Sequence, residues 1–191
     1  MGETPRKPRR QPRKPPPSSL ENAALYYLER YASSAENLRR VLSRRVDRAA
    51  RVHEIDVADV HAQIDALIRR YEAAGLLDDR AYAETRVNSL RSRGGSTRLI
   101  RLKLRQKGVA PGAIDQALAD DRSEVGELKA AIAFARRRRL GPYRRTDRAA
   151  GRDRDLASMA RAGFSYDLAR RVVEAASVEA LESEALEAEA G

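Results

Sequence analysis

The sequence predicts an all-α chain made of three tandem three-helix repeats, and three observations lead there. Aromatics are 5% of the residues and Trp is absent. Leu and Ala dominate the apolar set, which favours helix over sheet. Serine and aspartate cap signals alternate with glycine stops, and helical apolar periods lie between them. The chain is also weakly self-similar. Ser34-Leu38-Leu42 recurs as Ser96-Ile100-Leu104, and LRQKGV (104–109) is matched by MARAGF (159–164). The first unit has Val46 where that glycine would stand. One unit of about fifty residues buries little apolar surface alone, whereas stacked units bury more.

The elements follow in order. Residues 1–18 are expected to form a disordered basic tail. MGETPRKPRRQPRKPPPSS holds six prolines, six Lys/Arg and one acid, and proline together with like-charge repulsion opposes regular structure. Repeat 1 spans 19–77. Ser18 and Glu21 have capping-box spacing before LENAALYYLERYA, and Ser33 and Glu36 repeat it before a helix with Leu38, Val41 and Leu42 on one face. RVDRAARVHEI (45–55) breaks the period and reads as a loop. Asp56 caps the third helix, with Val57, Val60, Ile64, Leu67, Ile68 and Tyr71 as its apolar face and Gly75 as its stop.

Repeat 2 spans 78–122. Asp78 or Asp79 caps RAYAETRVNSLRSR, which ends at Gly94-Gly95. Ser96 caps the next helix, Gly108 ends it, and Pro111 opens a short third helix. Repeat 3 spans 123–176, with EVGELKAAIAFARRRRL, RDLASMARAG and SYDLARRVVEA, the last capped by Ser165. Residues 177–191 form an acidic tail, either a weak helix or disordered, in which Glu is the only ionisable side chain.

The formal net charge is +10, with 35% of residues charged, and an excess of this size points to a polyanion or an acidic protein surface as partner. Zero Cys and two His exclude disulfides, thiol chemistry and thiolate metal sites, and leave little for a His site. Neither a membrane-span-length apolar run nor a signal-peptide core is present, so a cytoplasmic protein is expected. Asp78-Asp79 read as helix caps rather than a catalytic pair, and Gly94-Gly95-Ser96-Thr97 lacks the lysine of a P-loop. No enzyme, metal or cofactor is expected.

RLIRLKLR (98–105) alternates like a strand, but its caps and terminal glycine favour helix. On a helix Arg98, Arg101 and Arg105 fall within about one sixth of a turn, forming a basic stripe, and Lys107 near the end of the segment is a further candidate contact. Leu99 and Leu102 lie on one side and Ile100 and Leu104 on the other, as if the helix were wedged between two neighbours. Lys103 falls between the apolar sides. The second basic cluster is RRRRLGPYRR: Arg136, Arg137, Arg138, Arg139, Arg144 and Arg145, with Tyr143 placed to stack. Such dense like charge is best tolerated when an anion offsets it. Both clusters are candidate contacts for nucleic-acid phosphate or protein carboxylate.

GLLDDRAYAETRVNSLRSRGGSTRLIRLKLRQKGV (75–109) resembles the RecX family of bacterial recombination regulators. The likeness rests on Leu77-Asp78-Asp79, Tyr82-Ala83, Gly94-Gly95 and Lys107-Gly108-Val109, and on RAGFSYDLARRVV with Gly163-Phe164. It extends over roughly residues 20–175. The missing first-unit glycine, the loop at 46–56 and both tails depart from it. The resemblance implies an elongated, curved array of three-helix repeats. It also implies a non-catalytic, monomeric modulator of the RecA recombinase. Such a protein lies in the groove of the RecA–DNA filament, slows ATP hydrolysis and strand exchange, limits filament growth, and so dampens recombination and the SOS response. The alternative is an independent nucleic-acid-binding protein that competes for single- or double-stranded DNA.

Overall fold

The computed structural model describes residues 17–119 and 123–190. The expected disorder of the N-terminal tail therefore falls, up to residue 16, outside the described residues. Every element found is helical. The contacts divide into two units, one up to Asp78 and one from Asp79 onward.

The first unit contains α1 (Pro17–Leu28), α2 (Ala35–Ala50) and α3 (Val57–Ala73). Its core joins Leu20 and Ala24 of α1, Leu38, Leu42 and Val46 of α2, and Ile64, Leu67, Ile68 and Tyr71 of α3. Ser18 lies inside α1, which begins at Pro17, so it does not precede the helix as a cap. The cap of α2 is Ser34 rather than Ser33: its hydroxyl accepts from Asn37 N–H at 3.2 Å. Ser33 instead accepts from the Asn37 side-chain amide at 2.8 Å. Asp56 caps α3 as expected, accepting from Asp59 N–H at 3.1 Å.

The loop expected over 45–55 is largely absent, because α2 continues to Ala50. Val46 and Ala49 extend the buried row begun by Leu38 and Leu42. Positions i, i+4, i+8 and i+11 share one helix face, and burial of that face carries the helix through a sequence crowded with arginine.

The second unit contains α4 (Asp79–Arg91), α5 (Thr97–Gln106), α6 (Pro111–Ala119), α7 (Ser123–Arg138), a 3-10 turn (Gly141–Tyr143), α8 (Arg148–Arg161), α9 (Tyr166–Glu174) and α10 (Val178–Ala190). One core cluster lies among α4, α5 and α6, around Val87, Ile100, Leu104 and Ile114. A second unites α7 to α10 around Ala131, Met159, Val172 and Leu181. The two repeated glycine turns are alike in structure. After Gly108, Val109 N–H donates to Leu104 O at 3.1 Å, and after Gly163, Phe164 N–H donates to Met159 O at 3.3 Å. Both are Schellman closures whose flanking apolar residues are buried. Helix α7 closes the same way, Leu140 N–H donating to Ala135 O at 2.9 Å, but the residue with positive φ is Arg139, at 56°.

Of the two readings of the acidic C-terminal stretch, a helix is what forms. Leu181 of α10 is 1% exposed and sits in the core with residues of α7, while Glu182 pairs with Arg136 at 2.7 Å. Leu181→Ala is expected to cost about 2 kcal/mol, the low end for a buried leucine, because an outer helix can settle into the void. A urea melt checks this; an unchanged midpoint would show that α10 adds nothing to the core.

Candidate functional site

The structure sorts the cations of the second unit into those spent inside the fold and those left outward. Arg91 is 8% exposed. It donates to Gly95 O at 3.1 Å and Thr97 Oγ1 at 2.7 Å, and it pairs with Glu127 of α7. Glu127 also accepts from Thr97 N–H at 2.8 Å, so one carboxylate ties α7 to the start of α5. Arg148 donates to Ala175 O at 2.5 Å and Ala176 O at 3.1 Å, satisfying carbonyls where α9 ends.

Arg144 belongs with these internal cations. Asp155 on α8 is 1% exposed. It accepts from Gly141 N–H at 2.9 Å, Arg144 Nε at 3.1 Å and Arg144 Nη2 at 2.5 Å. Burial pushes the Asp155 carboxyl up, but the hydrogen bonds from Arg144 and Gly141 and the charges of Arg144 and Arg154 outweigh it and hold the carboxyl below its usual range. Arg144, a candidate contact for an external anion by sequence, has its guanidinium bidentate on a buried carboxylate in this structure. The sequence carried one signal for this. Asp155 lies four residues before Met159 and beside Leu156, on the face that α8 buries.

Helix α5 forms as expected, capped by Ser96, whose hydroxyl accepts from Leu99 N–H at 3.2 Å. Arg98 and Arg105 face solvent with Lys103 and Lys107. Arg101 is partly covered and paired with Asp115 of α6. The wedge expectation fails on one flank. Ile100 and Leu104 are buried, but Leu102 is 52% exposed, so α5 packs through one side and presents Leu102 outward among its cations. Lys103 reaches water directly and needs no snorkelling.

At the end of α7, Arg136, Arg137, Arg138 and Arg139 are all exposed, as is Arg145. Arg136 is engaged by Glu182 and lies 5.9 Å from the Tyr143 ring centroid. Tyr143 itself packs against the core cluster. Arg137 and Arg138 sit 5.8 Å and 5.9 Å from the Phe134 centroid. Among the described residues, no acid pairs with Arg98, Lys103, Arg105, Arg137, Arg138, Arg139 or Arg145.

The α5 and α7 clusters, about thirty-five residues apart in sequence, flank one seam. Phe134 meets Phe164 in a tilted pair at 5.7 Å between centroids. Gly163, next to Phe164, lies so close to α5 that a Cβ there would stand 3.2 Å from Arg98 Cβ. The Ser96 hydroxyl donates to Ala162 O at 2.6 Å across the same junction. Arg98 therefore lies beside the Gly163 turn that carries Phe164, while Arg137 and Arg138 lie near Phe134, the other ring of the pair. Sequence reading missed Arg93 and Arg161, both exposed beside the Gly94 and Gly163 turns of this seam; their signal was adjacency to a turn glycine.

These features define a class: an all-helical array of three-helix domains bearing an outward cationic surface. The comparisons place it more closely. The family description "RecX, second three-helix domain" matches residues 78–118, which span α4 to α6. Regulatory protein RecX of Myxococcus xanthus (strain DK1622) is 46% identical over 167 residues, covering 86% of this chain and 89% of that protein. Regulatory protein RecX of Agrobacterium fabrum (strain C58) is 34% identical over 164 residues, covering 85% and 86%. The crystal structure of RecX from Lactobacillus salivarius shares the fold, with a TM-score of 0.60 at 22% identity, covering 83% of this chain and 94% of that one. The chain belongs to the RecX family of regulatory proteins.

Proposed function

We propose that this protein binds RecA and RecA–DNA filaments and restrains them, slowing ATP hydrolysis and strand exchange and limiting filament growth. In the cell it would dampen recombination and the SOS response. The observation that carries the reading is membership of the RecX family across most of the chain. The α5–α7 seam supports it. A protein interface combines arginine with an apolar centre, and this surface offers Leu102 beside Arg98 and Arg105, with Arg137 and Arg138 near the Phe134 ring. Contact with acidic surface on neighbouring RecA protomers would oppose their ATP-coupled rearrangement without any chemistry by this chain.

Reversal of Arg137 and Arg138 to Glu is expected to raise the concentration needed to inhibit RecA ATPase on single-stranded DNA by at least about tenfold, since attraction becomes repulsion at the contact. Full inhibition by that variant would sink the assignment. The second reading, competition for DNA, is favoured by the +10 net charge. The same assay separates them: inhibition that persists with free DNA saturating supports a RecA target, and inhibition abolished by added DNA supports competition.

A further inference from the structure

The extension of α2 through the expected loop creates a surface that the first unit does not use. On the face opposite Leu38, Leu42, Val46 and Ala49, Arg44 and Arg48 stand one turn apart, and Arg51 follows at the C-cap. All three are exposed, and Arg45 is exposed on the shoulder. At 100° per residue Arg44, Arg48 and Arg51 fall within about one sixth of a turn and span roughly 10 Å of axis.

The two halves of α2 differ in how their charge is matched. In the first half Arg40 pairs with Glu36 at 2.8 Å and Arg39 with Asp65 at 3.2 Å. In the second half no acid among the described residues pairs with Arg44, Arg45, Arg48 or Arg51. The one acid there, Asp47, faces His61 at 3.7 Å. Arg48 Nε donates to Arg44 O at 3.1 Å, which holds its guanidinium along the stripe. The helix dipole favours cations at a C-terminus, but only within the last turn, so it accounts for Arg48 and Arg51 and not for Arg44 and Arg45.

We propose that Arg44, Arg48 and Arg51 form a phosphate-binding stripe for a nucleic-acid strand, distinct from the α5–α7 seam. A row of cations along a helix matches the regular charge of a phosphate backbone. Among the described residues, Val52 is the one exposed large apolar residue next to the stripe in sequence, unlike the seam with Leu102. A lone exposed valine is ordinary surface, so the stripe suits a polyanion better than a protein interface with its apolar centre.

The test uses the full chain, a labelled oligo-dT strand and no RecA, so it reads the stripe independently of the RecA assignment. Arg44→Gln/Arg48→Gln/Arg51→Gln keeps good helix formers. It should weaken strand binding at least about tenfold and flatten the slope of log affinity against log salt by about 2, the value for three phosphates on a single strand. Arg69→Gln/Arg86→Gln/Arg154→Gln removes the same charge from helices outside both basic surfaces and should leave most of both. Equal losses in the two variants would reduce the effect to overall charge and overturn the stripe. So would a triple variant indistinguishable from the parent, or a parent that does not bind the strand.

Discussion

Asp155→Ala is expected to lower unfolding stability by about 3 to 4 kcal/mol, the range for removing one member of a buried charge pair. Three donor groups converge on this carboxylate, and its loss leaves the Gly141 N–H and the Arg144 guanidinium without their acceptor. Gly151 adds a constraint, since it packs directly beneath the Arg144 side chain. The midpoint of a urea melt should fall with the slope unchanged. A loss under about 1 kcal/mol would mean that water replaces the carboxylate at little cost. The same group gives an acid signature. Its pKa is depressed in the folded protein, so its contribution is complete above the ordinary aspartate range near about 4. The contribution is lost as pH falls through the lower folded value. The acid limb of stability against pH should be shallower in Asp155→Asn than in the parent.

Gly94→Ala is expected to cost about 3 kcal/mol. Two effects add at this position. Its φ is +75°, a region where a Cβ costs about 1 kcal/mol or more. A Cβ would also stand 2.6 Å from Phe134 N and 3.0 Å from Ala130 O. Those are backbone atoms of α7, which no rotamer change can clear, and overpacking of this kind costs a further 1 to 3 kcal/mol or so. Because α7 carries the arginine cluster, a tolerated substitution would move Arg137 and Arg138 relative to Arg98. An unchanged thermal midpoint would show that α7 does not pack on this turn as closely as described. Gly75 is the internal comparison: it has φ +70° with no atom near a Cβ, so Gly75→Ala should show the backbone effect alone.

Helix identity was legible wherever caps and period agreed. Asp56, Ser96 and Ser165 were read as caps and each accepts the expected backbone N–H. The α3 face was read in full, although Val57 and Val60 at its start are only partly buried. Reading failed where arginine interrupted the pattern. Val46 and Ala49 are too sparse to signal a face amid RRVDRAAR, and only their burial, with Val46 in one core with α3, shows that the helix continues. For the acidic stretch a helix was one of two readings, and it forms, but Leu181 and Ala185 gave little sign that they would enter the core with α7.

The candidate site was legible as charge and not as allocation. Composition and spacing located both basic clusters, and the strand-like alternation of 98–105 resolved to helix from its caps. Arg144 and Arg145 look alike in sequence, yet one closes on Asp155 and the other faces solvent. Arg101 and Arg105 share a stripe, yet one meets Asp115. A guanidinium pairs with whatever carboxylate the fold delivers, from another helix and many residues away.

The amino-acid sequence by itself determined the helical class, most helix ends and the cationic character of this protein, because caps, glycine stops and apolar period act within a few residues. Only the tertiary structure decided which arginines remain outward, that Leu102 is one of the few large apolar side chains left exposed, and that the α5 and α7 clusters share a seam. Those outcomes depend on how closely one helix approaches another. At Gly94 that approach is set by the missing Cβ facing backbone atoms of α7, and at Gly163 by the missing Cβ facing the side chains of Ser96 and Arg98, which no local pattern encodes.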